Sequence, residues 1–358
     1  MTPQAHQLWE SMVRAHTSAN PEFGETRALL MLGTRTPSTW TQYANALKAF
    51  MEFAVSRTPP LSLDRVTASH LADFVCWVAE GNRSLSGDSL AQYLSGVKTC
   101  LRELGISFND EHATKQLATV LAGYKRAHRE ASAPVVKRPP WLAAYTTQAF
   151  DLLGSTADSA SPQHRHLLVS VMHVALASIC MQRGDSTNSV IMRDFEPTRS
   201  HTGQHGFRIL FRKQKRPGKT VPEQLHYAPA SHHDPVQHLL QWYASIRASR
   251  GPHDLLFGLS SSSKTAFTLD ESVKCLAATL SLKSPPTVPF TGHCPRIGAI
   301  TEAFLIGVPI ESCAHLACHV KASTTGQYVR HGAAPSHQAQ VFYGHMVPGA
   351  RQGDTLSF

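Results

Sequence analysis

The sequence lacks the marks of a secreted or membrane-spanning protein. Its 7 cysteines include no CxxC pair and no closely spaced even framework, which favours a reducing compartment. The first residues, MTPQAHQLWESMVRAHTS, contain no apolar signal-peptide core. The most apolar run, residues 167–181, is interrupted by Ser170, His173 and Ser178 and is too short for a bilayer, so it predicts a buried helix. We therefore expect an intracellular protein without a membrane partner, nuclear in a eukaryote or cytoplasmic in a bacterium.

Acidic residues are too few to balance the basic ones. The 358 residues contain 34 Lys and Arg against 25 Asp and Glu, giving a formal net charge of +9 with neutral histidines. An excess of this size favours a polyanionic partner. The length allows two domains, each with its own core, and the lack of any recurring period excludes a solenoid.

The first third of the chain has helical periodicity. Residues 1–34 are only weakly periodic and are interpreted as a tail. Over residues 35–130, apolar residues recur at three- and four-residue steps in four segments, which predicts a small helical bundle. Ser38 is a candidate cap of the first helix, and Gly81 and Gly105 are candidate ends of the second and third.

Basic residues gather toward the end of this bundle and in the segment that follows it. Each one alone is most simply a solvated surface residue, but together they can neutralise the phosphates of a duplex. The proline-rich stretch ASAPVVKRPP predicts a linker at residues 131–142. The predicted DNA-binding residues are Lys98, Arg102, Lys125, Arg126, Arg129, Lys137 and Arg138, joined by Lys213 in the second half of the chain.

A second domain, residues 143–335, is predicted to be mostly helical with a small antiparallel sheet inserted. Helices are expected over residues 146–153, over the apolar run that ends near Gln182, and over residues 235–248. Phe207, Ile209 and Phe211 alternate along a short segment, which predicts a strand paired with residues 220–227. The whole chain is therefore mainly α with a small antiparallel β-sheet.

The stretch TGHCPRIG, residues 291–298, combines a histidine and an arginine with a helix start. Proline is tolerated only in the first turn, so Pro295 indicates that the helix begins at about Cys294. His293 and Arg296 then face one spot beside the positive end of the helix dipole, where a guanidinium can hold a phosphate in a bidentate fork. The alternative is a solvent-exposed arginine beside a capping histidine.

A second candidate stretch, HVKASTTGQYVRH, spans residues 319–331. A helix is expected from Ile310 to His319, and Ser323 is a candidate cap of a helix whose first turns include Tyr328. A tyrosine there is close to amide hydrogens that favour negative charge on its oxygen. The alternative is a Tyr328 ring packed on the core with its hydroxyl in water.

The order of these stretches resembles that in the catalytic domain of the tyrosine recombinases, or phage integrases. Arg183, in MQRGDSTNSVIMRDFE, directly follows the apolar helix, and GHCPRIG, HLACH and STTGQYVRH come later in that order. The resemblance covers roughly residues 35–335, and it makes the helical bundle similar to the family's SAM-like core-binding domain, followed by an α+β catalytic domain. The residues that match the family's catalytic set are Arg183, Lys215 or Lys213, His293, Arg296, His319 and Tyr328.

The resemblance implies a transesterification on DNA. The Tyr328 hydroxyl would attack a phosphodiester, leaving a 3′-phosphotyrosyl enzyme and a free 5′-hydroxyl, and a second hydroxyl would reverse the step. Arg183 and Arg296 would hold the non-bridging oxygens, with His319 hydrogen-bonded to one of them. The implied partner is double-stranded DNA bound by a homo-oligomer, a tetramer, and the implied chemistry requires no metal or other cofactor.

Two proton transfers complete the implied reaction. His293 would accept the tyrosine proton, because the ordinary pKa of tyrosine is about 10. A lysine on the β-turn would protonate the leaving oxygen. Lys215 is the preferred candidate, but Lys213 lies on the same side of an alternating strand, so the two stay open.

The sequence departs from the family pattern at two places. Ser186 stands where the family usually has an acidic residue, with Asp185 one position earlier. Ala317 and Cys318 replace the usual Leu-Gly before the second histidine. These departures indicate a divergent branch, similar to mobile-element recombinases of the DIRS or Crypton kind.

Several alternatives stay open. Tyr343, in QVFYGHM, is a second candidate nucleophile, although it lies too far beyond His319 for the family spacing. Residues 336–358 either pack in cis or dock on a neighbouring protomer. The chain could also be a topoisomerase-like DNA-relaxing enzyme, a non-catalytic DNA-binding descendant, or a metal protein. The cluster considered for a metal is Cys313, His315, Cys318 and His319, whose spacing fits no familiar structural zinc pattern.

Overall fold

The computed structural model describes most of the chain between residues 36 and 347. The described residues are 36–82, 85–132, 136–155, 161–212, 223–227, 234–260, 263–285, 288–319, 321–330, 332–333 and 337–347, with the single positions 7, 10, 11, 14 and 33. They form two compact units, Met1–Val135 and Val136–Phe358. The boundary falls inside the segment predicted to be a linker. The predicted tail, residues 1–34, lies almost entirely outside the described residues.

The described part of the first unit is a helical bundle, as the apolar periodicity predicts. Three of its core side chains, Phe50, Phe53 and Phe74, pack with ring centroids 5.5 to 5.6 Å apart. Gly81 and Gly105 adopt φ values of 86° and 85° at the predicted helix ends, a conformation that favours glycine. The helices are α1 (Pro37–Ser56), α2 (Ala68–Trp77), α3 (Gly87–Glu103) and α4 (Glu111–Ala131).

The cap of α1 differs from the prediction. Ser38 lies inside the helix, and the cap is Thr36, whose hydroxyl accepts a hydrogen bond from the backbone N–H of Thr39 at 3.4 Å. Thr36 has extended backbone angles, which a cap residue needs, whereas Ser38 is already helical.

The second unit combines helices with a small sheet, so the predicted fold class is confirmed. Its helices are α5 (Ala143–Ser155), α6 (Pro162–Ile179), α7 (Gly184–Thr187), α8 (Pro235–Ile246), α9 (Leu269–Thr279), α10 (Cys294–Leu305), α11 (Ile310–Leu316), α12 (Ala322–Gly326) and α13 (Gln338–Tyr343). None of the helices in the described part of the chain is both long and apolar enough to cross a membrane.

The sheet is antiparallel and has the order β1-β2-β3. Its strands are β1 (Phe195–Arg199), β2 (His205–Leu210) and β3 (Glu223–Tyr227). The strand predicted around Phe207 and its partner near residue 227 are confirmed. Strand β1 was not predicted, because Phe195 is its one buried residue and Pro197 interrupts it, as proline does on an edge strand.

Helix α6 is the centre of the second unit's core. Every residue from Val169 to Gln182 is buried, which confirms the buried helix predicted from the apolar run. Its one buried histidine is fully paired: His173 Nδ1 lies 3.1 Å from the Phe267 carbonyl, and Nε2 lies 2.9 Å from the Thr187 hydroxyl. Burial lowers the pKa of His173 to about 3, so this side chain is neutral at physiological pH.

The segment that leads into α5, residues 141–143, packs against helix α10. The Trp141 backbone N–H donates to the Cys294 carbonyl at 3.0 Å. Two residues later, the Ala143 N–H donates to the buried carboxylate of Glu302 at 2.7 Å, so α10 caps the start of α5. Trp141, predicted to lie in the linker, is therefore fully buried in this unit.

Gly298→Ala tests this close approach. A Cβ atom built on Gly298 lies 1.7 Å from the Trp141 carbonyl oxygen, so the two backbones must separate. Overpacking of this kind costs about 1 to 3 kcal/mol or more, and we expect that loss in the free energy of unfolding measured with urea.

Gly154→Ala is the matched control, because nothing lies within 4 Å of a Cβ atom at this helical position. Alanine stabilises a helix by up to about 1 kcal/mol relative to glycine. Equal stability of Gly298→Ala and the parent protein would contradict the packing of Trp141 on α10.

Candidate active site

Arg296 is buried, and the ends of two helices hold its guanidinium. The side chain is 1% exposed. Nη1 donates to the Met181 carbonyl at 3.0 Å, just beyond α6, and Nη2 donates to the Ala317 carbonyl at 2.5 Å, just beyond α11. Helix C-termini present carbonyls without intrahelical partners and carry partial negative charge, so they suit a cation. Helix α10 begins at Cys294, as Pro295 predicted, and carries Arg296 in its first turn.

Just after each of these two helices, one residue adopts the left-handed backbone conformation, and this turn points the terminal carbonyls toward Arg296. Met181 has a φ of 51° and Cys318 a φ of 52°. In each case the backbone N–H of the next residue donates to a carbonyl five residues earlier. Gln182 donates to the Ala177 carbonyl at 3.0 Å, and His319 donates to the Ala314 carbonyl at 2.8 Å. This is the Schellman pattern. It ends α11 at Leu316, not at His319 as predicted, because the left-handed Cys318 cannot continue a right-handed helix.

Two amide side chains tie the helix ends to the sheet. Gln182 Nε2 and Gln224 Nε2 donate to the same Leu316 carbonyl, at 2.5 and 2.7 Å. Both amides also reach the Cys180 carbonyl, at 3.3 and 3.4 Å. Because Gln224 lies on β3, the strand, the end of α6 and the end of α11 share one buried hydrogen-bond network.

His319 contacts Arg296 on one side and Thr325 on the other. Its Nε2 is hydrogen-bonded to Arg296 Nη2, and its Nδ1 lies 2.8 Å from the Thr325 hydroxyl. Burial, followed by the charges of Arg296 and Arg183, lowers the pKa of His319 to about 4. The ring is therefore neutral at physiological pH.

Tyr328 lies against Arg296 and both histidines. Its ring centroid is 5.4 Å from the Arg296 Cζ atom, 5.3 Å from the His293 ring and 5.1 Å from the His319 ring. The structure thus brings the predicted tyrosine, both histidines and one of the two arginines into one cluster. The ring is partly buried and also packs against the apolar core, as in the alternative prediction.

The backbone around Tyr328 differs from the prediction. Helix α12 is only five residues long, begins after Lys321 without a side-chain cap, and ends at Gly326. Tyr328 follows this helix in a turn, so it is not near the first amides of a helix. After Gly326 the amides of Tyr328 and Val329 bond three residues back, to the Thr325 and Gly326 carbonyls at 2.9 and 3.2 Å, in place of the four-residue bonds of an α-helix. The Tyr328 carbonyl accepts from the Thr301 hydroxyl at 3.1 Å and from Arg330 Nη1 at 3.0 Å.

His293 lies among positive charges. Burial, followed by the charges of Arg296, Arg138, Arg183 and Arg330, lowers the pKa of His293 to about 4. The imidazole is therefore neutral at physiological pH and can accept a proton. So many cations around one histidine also make the surrounding space favourable for a phosphate.

Arg183 is positioned by the short helix α7. Arg183 is the residue before this helix, and its carbonyl accepts from the Ser186 and Thr187 amides at 3.0 and 3.1 Å. Burial, followed by the charge of Arg183, lowers the pKa of Arg296 to about 10. Ser186, at the family's acidic position, is buried, and Asp185 is exposed.

The other predicted residues are distributed over the two units. Lys213 and Lys215 lie outside the described residues, so the choice between them stays open. Arg102, Arg126 and Arg129 are exposed on the first unit, where Lys98 is half-buried. Lys125 pairs with Asp88 at 3.1 Å. Lys137 and Arg138 are exposed at the start of the second unit.

Tyr343 is surrounded by core residues. It is fully buried on α13, and burial raises the pKa of its hydroxyl well above the ordinary value. Phe342 and Ala339 of the same helix are buried too, so in the single chain this segment packs in cis. A buried, neutral phenol in the core is a poor candidate for attack on DNA.

The predicted alternative metal cluster does not assemble. Cys313 is buried in the core, while His315 is exposed on α11. Both ring nitrogens of His319 already have protein partners. Within the ranges that the structure describes, no three His, Cys, Asp or Glu side chains are placed to hold a metal ion.

Four residues that hold the cluster together were not predicted from the sequence: Thr301, Thr325, Arg330 and Gln224. They are ordinary polar residues in helices, turns and strands, and only their contacts mark them. Helix α9 was also missed, although Thr268 and Glu271 form the capping box that announces it. The first turn of α9 holds the backbone just before His293, because the Asp270 carboxylate accepts a hydrogen bond from the Gly292 N–H at 3.0 Å.

Comparisons with known proteins agree with this architecture. Residues 27–104 match the family model described as phage integrase, N-terminal SAM-like domain. The XerH site-specific recombinase bound to palindromic difH substrate has a TM-score of 0.56 at 15% identity, covering 81% of this chain and 75% of that chain. The Tn1549 transposon integrase in complex with transposon right end DNA has a TM-score of 0.53 at 12% identity, covering 86% and 94%. No curated protein matches the chain by sequence.

The chain therefore has the fold of the tyrosine recombinases and integrases. The match to the phage-integrase SAM-like domain, residues 27–104, falls in its first unit. The resemblance inferred from the order of the sequence motifs is confirmed at the level of the fold.

Substitutions of Cys318 test the turn that forms the Arg296 site. Glycine adopts the observed φ without strain, so Cys318→Gly should keep the free energy of unfolding within about 1 kcal/mol of the parent. A β-branched residue is strongly disfavoured there, and Cys318→Val should lose more than about 1 kcal/mol. Urea denaturation measures both. If valine were tolerated as well as glycine, the left-handed turn would be contradicted.

Proposed function

We propose that the protein is a site-specific DNA recombinase or integrase that cleaves and rejoins DNA strands through a 3′-phosphotyrosyl intermediate. Tyr328 is the nucleophile. The observation that carries this proposal is the position of the Tyr328 ring, which lies within 5.4 Å of the Arg296 guanidinium carbon and close to two neutral histidines. A tyrosine with a structural role alone needs no such surrounding.

The arginines stabilise charge that develops on the phosphate. Arg183 and Arg296 act on the two non-bridging oxygens, where negative charge collects as the fifth bond to phosphorus forms. Fixed donors of this kind are each worth about 3 kcal/mol or more in the transition state. Because the ends of α6 and α11 fix the Arg296 guanidinium, little reorganisation is needed during the reaction.

Proton transfer is divided between a base and an acid. The Tyr328 oxygen forms a bond to phosphorus while its proton passes to His293, whose low pKa keeps it neutral and ready to accept. The bond from phosphorus to the 5′-oxygen breaks, and that oxygen takes a proton from a lysine, Lys215 in preference to Lys213. In the reverse step a 5′-hydroxyl attacks and Tyr328 leaves, so no nucleotide cofactor is consumed.

DNA binding requires a local rearrangement. Arg296 is 1% exposed while the Tyr328 ring covers it, so a phosphate reaches the guanidinium only after the ring moves away. The Arg296 Nε–H is buried and has no hydrogen-bond partner among the described residues. A buried donor without a partner is costly, and a phosphate oxygen would satisfy it.

The remaining cations provide affinity and not chemistry. The exposed arginines of the first unit contact the DNA backbone together with Lys98, Lys137 and Arg138. These arginines are Arg102, Arg126 and Arg129. Lys125 contributes less, because it is paired with Asp88. Exchange between two duplexes requires several copies of the chain, and we propose a tetramer on DNA.

Covalent trapping tests the nucleophile. Binding sites are first selected from a random duplex library with the full chain, and nicked suicide substrates are then built on them. The parent protein should form a covalent adduct in the presence of EDTA, and Tyr328→Phe should form none, because it lacks the attacking oxygen.

Tyr343→Phe is the matched control and should retain the adduct. An adduct that survived in Tyr328→Phe but disappeared in Tyr343→Phe would reassign the nucleophile. Loss of the adduct in EDTA would point to metal-dependent cleavage. Relaxation of supercoiled DNA by dilute protein without a second site would favour a topoisomerase-like enzyme over a recombinase.

A further inference from the structure

Thr325 lies between the second histidine and the proposed nucleophile. Its side chain is fully buried in α12, and its hydroxyl is 2.8 Å from His319 Nδ1. Its carbonyl accepts the Tyr328 N–H at 2.9 Å. The Thr325 hydroxyl is hydrogen-bonded to His319 Nδ1. It can therefore control which ring nitrogen of His319 donates a hydrogen bond and which accepts one.

The hydrogen-bond partners of His319 define its tautomer. A guanidinium has only donors, so His319 Nε2 must accept the bond from Arg296 Nη2. The ring is neutral, so its one proton is on Nδ1. The Nδ1–H then donates to the Thr325 hydroxyl oxygen. Thr325 therefore stabilises the tautomer in which Nε2 can hold the guanidinium.

This arrangement must change when a phosphate binds. In the DNA-free protein the Nε2 lone pair faces Arg296, so His319 cannot donate a hydrogen bond to a phosphate oxygen. Donation requires a proton on Nε2, and a neutral ring then needs a donor at Nδ1. A hydroxyl can serve as acceptor for one tautomer and as donor for the other, whereas an apolar side chain can do neither.

We infer that Thr325 is a positioning residue that fixes His319 as the Nδ1–H tautomer in the DNA-free protein and supports the Nε2–H tautomer when a phosphate is bound. The change moves one proton from one ring nitrogen to the other by exchange with solvent, with no net gain or loss. The part that concerns the DNA-free protein stands on the contacts alone. The phosphate-bound part rests on the proposed function.

Three variants separate this role from simple packing. Thr325→Val keeps the shape and removes the hydroxyl, and Thr325→Ser keeps the hydroxyl and removes a methyl group. Thr324→Val makes the same change at the neighbouring, half-buried threonine of α12. Urea denaturation establishes that each variant folds.

The first readout is the histidine side-chain nitrogen NMR spectrum of the DNA-free, full-length protein. His319→Gln identifies the His319 signals by their loss. We expect the parent, Thr325→Ser and Thr324→Val to show Nδ1–H with an unprotonated Nε2, and Thr325→Val to lose this single tautomer. A parent spectrum with the proton on Nε2, or an unchanged spectrum in Thr325→Val, overturns the inference, whether or not the protein cleaves DNA. If Thr325→Val does not fold, the parent spectrum still decides.

The second readout is the pH profile of covalent adduct formation on the suicide substrate. Loss of a partner that orients a functional histidine costs about 10- to 100-fold in activity, and we expect this loss with a shifted profile for Thr325→Val. Thr325→Ser and Thr324→Val should keep the parent profile. Parent-like rates in Thr325→Val overturn the phosphate-bound part. If the parent forms no adduct with any DNA, the proposed function fails and the phosphate-bound part fails with it, while the spectrum still decides the tautomer.

Discussion

A buried guanidinium is the constraint on which the second unit depends. Removing a charged group from water costs several kcal/mol unless hydrogen bonds and opposite charge offset it. Arg296 has no carboxylate among the partners described here; it is held by the carbonyl ends of α6 and α11 and by the His319 imidazole. Neutral acceptors of this kind leave the positive charge of Arg296 uncompensated. The site can therefore attract an anion, which a paired salt bridge would not.

The same charge determines the state of the neighbouring side chains. Burial together with Arg296 and Arg183 keeps both His293 and His319 neutral. A neutral His293 can act as a base, and a neutral His319 can accept from Arg296. Tyr328 lies against all three groups, while its carbonyl is held by Thr301 and Arg330. Helix ends, charge and proton positions therefore form one connected arrangement around the proposed nucleophile.

The sequence predicted the parts of this arrangement that follow from local rules. Pro295 defined the start of α10, and the order of the motifs indicated which distant residues would meet. It did not predict the turns. Cys318 is left-handed although cysteine seldom is, so the end of α11 was placed at His319. The helix expected around Tyr328 ends at Gly326, and the next amides bond three residues back in a turn, whose Tyr328 carbonyl is held by Thr301 of α10. Contacts between residues far apart in the chain decide such points.

The residue that becomes attached to DNA can be identified directly. The adduct on a suicide substrate is trimmed with nuclease, digested with trypsin and examined by mass spectrometry. Cleavage after Lys321 and Arg330 releases residues 322–330, ASTTGQYVR, in which Tyr328 is the single tyrosine, whereas Tyr343 falls in residues 331–351. With Tyr328 as the nucleophile, we expect a nucleotide on residues 322–330. A nucleotide on residues 331–351, or on any other peptide, would contradict this assignment.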